Sequence, residues 1–398
     1  MTGLGVVSSI GIGKDEFWRN LIAGKSGISE ITRFDTSSFP IHRGGEVKEF
    51  RPEEFMPKRL VMSIGRGSQL AIAATKLALE DAKLLPNFID TDRIGVIIGT
   101  TMGEAPSIEM IDRYWTQQGE DNVYSSNVVK FPVNNLSDNV ARFFGLTTFS
   151  YVIPTACAAG NYSIGYAYDL IRSGKQELIV AGGADPLSRL AFTGFNRLFA
   201  MAHDMCQPFD KNRKGMMLGE GGAVLVIESL DHAKKRKANI YAEIRGYALS
   251  CDAYNMTIPS EQGVAKVMEK AIRNSGIQKD DVDYISAHGT GTGLNDKTET
   301  AAIRNVFGDK TPAIPVSSIK SMLGHTMGTA SASEAIACCL AIMDGVVPPT
   351  INYETPDPEC DIDCVPNKAR KQRVDLALNN SFAFGGNNAC VVFGKYAQ

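Results

Sequence analysis

Apolar and polar positions along this chain fall into blocks that read alternately as strands and helices. Arg93-Ile94-Gly95-Val96-Ile97-Ile98-Gly99 and Glu177-Leu178-Ile179-Val180-Ala181-Gly182-Gly183 are short continuous apolar runs, which predict strands covered on both faces. Between Gly263 and Ser275, Val264, Val267, Met268, Ala271 and Ile272 share one helical face, and Gly276 supplies the stop. Tyr151-Val152-Ile153 is strand-like and halts at Pro154. Small residues follow, and then a helical pattern runs through Ile164, Tyr168 and Ile171 to Gly174. Many strands lead into Gly-rich turns, so the chain reads as α/β. A charged stretch around Leu230 to Asn239 reads as a solvated helix face at the junction of two halves, residues 1–238 and 239–398.

The halves echo each other in order. The first offers a strand ending in Gly99-Thr100-Thr101, a turn at Cys157, and a strand ending in Ala181-Gly182-Gly183-Ala184-Asp185. The second offers a strand ending in His288-Gly289-Thr290, the run from Lys320 to His325, and Phe384-Gly385-Gly386-Asn387-Asn388. In each, an extended segment enters a helix that starts with Gly, Ala and Ser. That order predicts an internal duplication of α/β units, with the site at the seam and helices packed closely in a buried layer.

Composition narrows the function. The 398 residues are 44% hydrophobic and 21% charged, with a net charge of −3, which argues against general nucleic-acid binding. No apolar run approaches the roughly 18 residues that a membrane span needs. The N-terminus lacks a basic region and is broken by Gly3, Gly5, Gly11 and Gly13, so no signal peptide is expected. None of the eight cysteines forms a CxxC pair, and nothing calls for a metal. Cys338-Cys339 and Cys390 lie in apolar runs as small hydrophobes, which places the chain in a reducing cytosol.

Cys157 differs from these. It sits among Ala156, Ala158, Ala159 and Gly160 on a tight strand-to-helix turn, with room for a substrate carbonyl and an acyl chain. At the positive end of a helix dipole its pKa is expected to fall. Two histidines follow in Gly/Thr-rich settings: His288 in Ala287-His288-Gly289-Thr290, and His325 after Lys320-Ser321-Met322-Leu323-Gly324. A thiol nucleophile with distant histidines is the layout of an acyl-transferring enzyme. His42, His203 and His232 lack such context and read as structural.

With these motifs the chain resembles the β-ketoacyl-acyl-carrier-protein synthases of the elongating type, in the thiolase-like superfamily. The resemblance runs from Thr2-Gly3-Leu4-Gly5-Val6-Val7-Ser8 through Ile31-Thr32-Arg33-Phe34-Asp35, Pro208-Phe209-Asp210-Lys211-Asn212-Arg213-Lys214-Gly215 and Gly219-Glu220-Gly221 to Asn380-Ser381-Phe382-Ala383-Phe384-Gly385-Gly386. It implies a five-layer αβαβα sandwich of two similar halves, a dimer, and a first strand cut short at Thr2. It also implies decarboxylative Claisen condensation of malonyl-acyl carrier protein with an acyl chain on Cys157. Substrates would ride on phosphopantetheine, with no cofactor of the enzyme's own. His288 and His325 would hold the enolate. Lys320, a buried ammonium, would contact Glu334 or Asp296 and fix the histidine loop. The backbone N–H groups of Phe384 and Cys157 would form an oxyanion hole, with Phe384 as a gate. Thr290 and Thr292 would meet the pantetheine amides or cap a turn, and Met102 and Phe195 would line the acyl pocket. Lys58, Arg59 and Arg66 would face the acidic carrier protein.

Three departures from the family pattern stand out. Ala383 and Asn387 replace glycine and threonine around the gate, Ile319 replaces threonine before Lys320, and Gln207 replaces arginine before Pro208. The Cβ of Ala383 is expected to disfavour positive φ and to restrict the gate. Together they point to a specialised enzyme of polyketide or polyene synthesis as well as to one of fatty-acid synthesis. The alternative is a ketosynthase subunit paired with a chain-length-factor-like homologue, which would lack the thiol. A coenzyme-A thiolase fits less well, because two histidines accompany Lys320.

Overall fold

In the computed structural model, which describes residues 1–85 and 91–397, the strands gather into two main sheets. The first contains β1 (Gly3–Ser8), β2 (Gly11–Ile12), β3 (Ile94–Gly99), β4 (Ser150–Ile153), β5 (Leu178–Asp185) and β6 (Gly221–Glu228), in the order β2-β1-β6-β5-β3-β4. The second contains β7 (Glu243–Cys251), β8 (Tyr284–Ser286), β9 (Val316–Ser317), β10 (Leu376–Phe382) and β11 (Asn387–Gly394), in the order β9-β8-β10-β11-β7.

The duplication is legible strand by strand. Setting β2 aside, β1, β3, β4, β5 and β6 occupy the places that β7, β8, β9, β10 and β11 occupy in the second sheet. Directions agree as well: β3 runs parallel to both β4 and β5, and β8 runs parallel to both β9 and β10. The last strand of each half is antiparallel to its neighbours.

Helices complete five layers. α1 (Arg66–Asp81) and α2 (Asn135–Phe144) cover the outer face of the first sheet, and α4 (Glu261–Asn274) and α5 (Gly293–Phe307) cover that of the second. Between the sheets lie α3 (Ala159–Arg172) and α6 (Ala330–Asp344), each touching both. In α4 the residues Val264, Val267, Met268, Ala271 and Ile272 are buried, Ser260 caps the start through the Gly263 N–H, and Gly276 takes φ 66° beyond the end. All of α6 from Ala330 to Ile342 is buried, as expected for a helix covered on both sides. Among the described residues no helix is long and apolar enough to cross a membrane.

The small residues at the helix starts let α3 and α6 approach each other. A Cβ built on Gly160 would lie 2.7 Å from the Ala332 nitrogen, and one on Gly99 2.4 Å from the Ala159 carbonyl carbon. Both places are closed by backbone, which cannot step aside. Gly160→Val should therefore lower the urea or thermal midpoint by an amount equivalent to about 1–3 kcal/mol or more. An unchanged midpoint would mean that the two central helices are not in contact.

Candidate active site

Cys157 leaves the C-terminal end of β4 on a short turn whose preceding residue, Ala156, holds φ 49°. A non-glycine residue persists in that left-handed region only when its surroundings enforce it. Here the enforcement comes from the other half: the Ser381 hydroxyl donates to the Cys157 carbonyl at 2.9 Å, and that of Ser331 at 3.4 Å. The thiol is 7% exposed and lies 3.1 Å from His325 Nε2.

His325 is clamped by its backbone to the first half. Its N–H donates to the Met217 carbonyl at 2.6 Å, and its own carbonyl accepts from Gly219. Its Nδ1 accepts the Met327 N–H at 3.3 Å. A neutral ring whose Nδ1 accepts carries its hydrogen on Nε2, so Nε2–H points at the sulfur. His288 follows β8, and its N–H and that of Gly289 donate to buried Glu299 at 2.9 and 2.8 Å. The two imidazole rings stand 5.5 Å apart at 82°, and Phe382 packs against the His288 ring. His288 Nδ1 is buried without a partner.

Lys320 joins the elements. Its ammonium donates to the His288 carbonyl at 2.6 Å and forms an ion pair with Glu334. The pair is almost wholly buried. Burial and then the Lys320 charge hold both imidazoles well below 6.5, so both are neutral. Asp296 is not the partner of Lys320. It accepts the N–H groups of Phe209 (2.8 Å) and Gly291 (3.2 Å), with Arg213 at 3.9 Å, and so braces the loop that carries Thr290 and Thr292.

The thiol does not behave as the helix dipole alone suggests. Burial pushes Cys157 up to about 12, opposed by the positive charge of Lys320. The resting group is a thiol with an Nε2–H donor beside it, ready to stabilise a sulfur anion as one forms.

Cys157, His288, His325, Thr290, Thr292, Phe195 and Phe384 line one cavity of about 400 Å³. The hydroxyls of Thr290 and Thr292 are 2.8 Å apart, and the rings of Phe195 and Phe384 are 5.7 Å apart. Met102 stands outside this lining and, like Phe195, packs against a neighbouring apolar cluster. At the mouth are Leu198, Met256, Leu294 and Phe199, the last 90% exposed. Among the described residues no group of His, Cys, Asp and Glu could hold a metal ion.

Two expectations change at the rim. Ala383 is extended at φ −116°, which any residue adopts, while Gly385 and Gly386 take φ 82° and 78°. The Ala383 Cβ therefore imposes no restriction of the kind expected. Arg66 is not a surface charge either: its guanidinium pairs with buried Glu220 at 2.8 Å and stacks over Phe50, leaving its side chain 8% exposed. Lys58 and Arg59 are exposed on the short helix Lys58–Ser63. Glu299 carries no motif in the sequence, and Ser381 and Asp185 lie within motifs there without a role of their own. Cys251, the exposed cysteine, lies in β7 opposite Asn387, beside the Phe384 loop.

Comparison with known proteins bears on this constellation. The family profile described as "Beta-ketoacyl synthase, N-terminal domain" matches residues 1–233, and "Beta-ketoacyl synthase, C-terminal domain" matches residues 241–354. The 3-oxoacyl-[acyl-carrier-protein] synthase 2 of Synechocystis sp. is 39% identical over 405 residues, covering 100% of this chain and 97% of the relative. That of Staphylococcus aureus is 39% identical over 404 residues, covering 100% and 98%. Among solved structures, the ishigamide ketosynthase/chain length factor has a TM-score of 0.96 at 43% identity, covering 100% of this chain and 98% of that one. A type II polyketide acyl-carrier protein in complex with its ketosynthase gives 0.92 at 35%, covering 99% and 98%. The chain belongs to the β-ketoacyl synthase family.

The neutral histidines set a pH dependence. Unfolded, each imidazole takes up a proton near 6.5; folded, each stays neutral until well below that. The unfolded chain thus binds more protons in that window, and stability falls as the pH drops below 6.5. One unit lower, each imidazole withdraws about 1.4 kcal/mol. Asp185, Glu299 and Glu334 act with the opposite sign: burial raises them to about 6, 7 and 7, so they cost stability as the pH rises from the ordinary carboxylate range up to those values, where the loss levels off. The double variant His288→Asn/His325→Asn should lose less stability than the wild type between pH 6.5 and about pH 5.5. Parallel urea-derived curves would show that the rings are not held neutral.

Proposed function

We propose that the chain is a β-ketoacyl-acyl-carrier-protein synthase, an acyltransferase that condenses an acyl chain held on Cys157 with malonyl-acyl carrier protein. The observation that carries this reading is the neutral His325 Nε2–H at 3.1 Å from the Cys157 sulfur, with the His288 ring beside it in the same cavity. Sulfur attacks the acyl thioester, the bond to pantetheine breaks, and pantetheine leaves as a thiol with the cysteine's proton. Malonyl thioester then loses CO2. The bonding pair becomes an enolate whose oxygen accepts N–H hydrogens from His288 and His325. The enolate carbon joins the acyl carbonyl, whose oxyanion rests on the backbone N–H groups of Cys157 and Phe384. Collapse expels Cys157 as thiolate.

In this reading burial and then the Lys320 charge keep the rings neutral, and Lys320, held by Glu334, keeps the His288 strand end in place. Thr290 and Thr292 meet the pantetheine amides, and Phe195 with Phe384 borders the acyl chain. The halves 1–238 and 239–398 supply the nucleophile and the histidines respectively. No cofactor beyond the carrier's phosphopantetheine is invoked, and the enzyme works in the cytoplasm as a dimer. Fatty-acid synthesis is the pathway suggested by the two synthase-2 relatives. A second reading, favoured by the 43% identical ishigamide ketosynthase/chain length factor, is a ketosynthase subunit of a polyene or type II polyketide system paired with a homologue that lacks the thiol.

Intact-mass analysis with acyl carrier proteins of graded chain length should show acyl transfer to Cys157. Cys157→Ser should abolish condensation. His288→Ala and His325→Ala should each slow decarboxylation by about 10²-fold or more while acylation of Cys157 persists at least in part. Condensation by Cys157→Ser, or normal decarboxylation by both histidine variants, would refute the assignment.

A further inference from the structure

Asp185 ends β5 with its side chain fully buried, and it is absent from the cavity lining and from the chemistry above. Its carboxylate is satisfied by hydrogen bonds from two directions. On one side it accepts from the Thr100 hydroxyl (2.7 Å) and from the N–H groups of Thr101 (2.8 Å) and Met102 (2.8 Å), all on the loop after β3. On the other it accepts the Gly328 N–H at 2.6 Å, from the turn between His325 and α6. Among the described residues no lysine or arginine forms an ion pair with it. A charge kept in the interior on neutral donors alone costs several kcal/mol unless every donor stays aimed at it.

The Gly328 contact lies one residue beyond Met327, whose N–H is the donor to His325 Nδ1. Met327 holds φ 56°, a conformation that a non-glycine residue keeps only under constraint. The space is closed as well: a Cβ on Gly328 would fall 2.7 Å from the Asp185 carboxylate oxygen and 2.7 Å from the Thr100 backbone. The carboxylate therefore pins a strained turn, and that turn decides which nitrogen of His325 carries the hydrogen. We infer that Asp185 is a positioning residue: it holds the Met327-Gly328 turn so that His325 presents Nε2–H to the Cys157 sulfur and to the enolate oxygen.

The inference rests on the condensing activity proposed above and adds to it a second consequence. The negative charge of Asp185 is among the influences that raise the Cys157 thiol, so its removal makes thiolate easier to form. A purely structural residue would predict the reverse, a thiol that works less well in every assay. Asp185→Asn keeps the shape but turns an amide N–H₂ toward backbone N–H donors, which frees one side of the clasp.

The experiment compares wild type and Asp185→Asn in three measurements. In ¹⁵N spectra of the imidazoles, wild-type His325 should be the Nε2–H tautomer and the variant a mixture or the Nδ1–H form. Decarboxylation of malonyl-acyl carrier protein should fall about tenfold or more in kcat, with KM little changed. Alkylation of Cys157 by iodoacetamide should become severalfold faster. A folded variant with wild-type tautomer and decarboxylation within about twofold would overturn the inference. If Asp185→Asn does not fold, Thr100→Val, which removes one donor and leaves the charge, should move tautomer and kcat in the same direction by less; wild-type values there would overturn it equally. A wild-type enzyme that decarboxylates nothing would refute the proposed function, while the tautomer measurement would still judge Asp185.

Discussion

The site depends on a single buried ammonium. Lys320 lies in the interior, where an unpaired charge cannot be tolerated, and its hydrogen bonds go to the Glu334 carboxylate and to the carbonyl of His288. Glu334 belongs to α6, His288 to the end of β8, and Lys320 to the turn that leads to His325. Three elements are thus drawn to one point by the cost of leaving a charge bare. Burial, and after it the same charge, keeps both imidazoles unprotonated. A neutral imidazole can donate to an enolate without the local field changing when a proton arrives or leaves, and that is what a preorganised oxyanion site requires.

The duplication explains why this arrangement sits at a seam. Each half brings strand ends and a central helix to the same level, and the two central helices cross so closely that backbone meets backbone at Gly160. One half presents a thiol there and the other two rings, yet each is held by its counterpart. Ser381 and Ser331 of the second half hold the Cys157 carbonyl, whereas Met217 and Gly219 of the first clamp His325. Neither half holds its own group in that geometry alone. Asp185 extends the logic, since it is a first-half carboxylate that closes the histidine turn of the second.

What the sequence made legible was what local pattern encodes. The apolar runs that became β3 and β5, the stripe of α4, the repeated order of strand ends and the settings of Cys157, His288 and His325 all carry their signal within about a dozen residues. What remained hidden is long-range. Arg66 reads as a surface charge because its partner Glu220 is 154 positions away. Glu299 lies inside a helix with no motif, and its role appears only when the His288 strand end is folded against it. The sequence alone predicts that the Cys157 thiol is acidified by its helix, a local effect. Burial between two halves outweighs it, and burial is a property of the assembled fold.

The Phe382–Asn387 loop shows the same division. Ala383 in place of glycine looks like a loss of backbone freedom, but freedom at that position is not used, since the chain there is extended. The left-handed turns fall on Gly385 and Gly386, which are retained, and the Gly385 N–H is tied to the Met256 carbonyl at 2.8 Å. The loop is therefore held by its neighbour rather than by the stiffness of Ala383. What shapes the cavity and its mouth is then the Phe195–Phe384 contact, the segment around Met256, and exposed Phe199. These are side-chain volumes around a loop whose left-handed turns fall on Gly385 and Gly386.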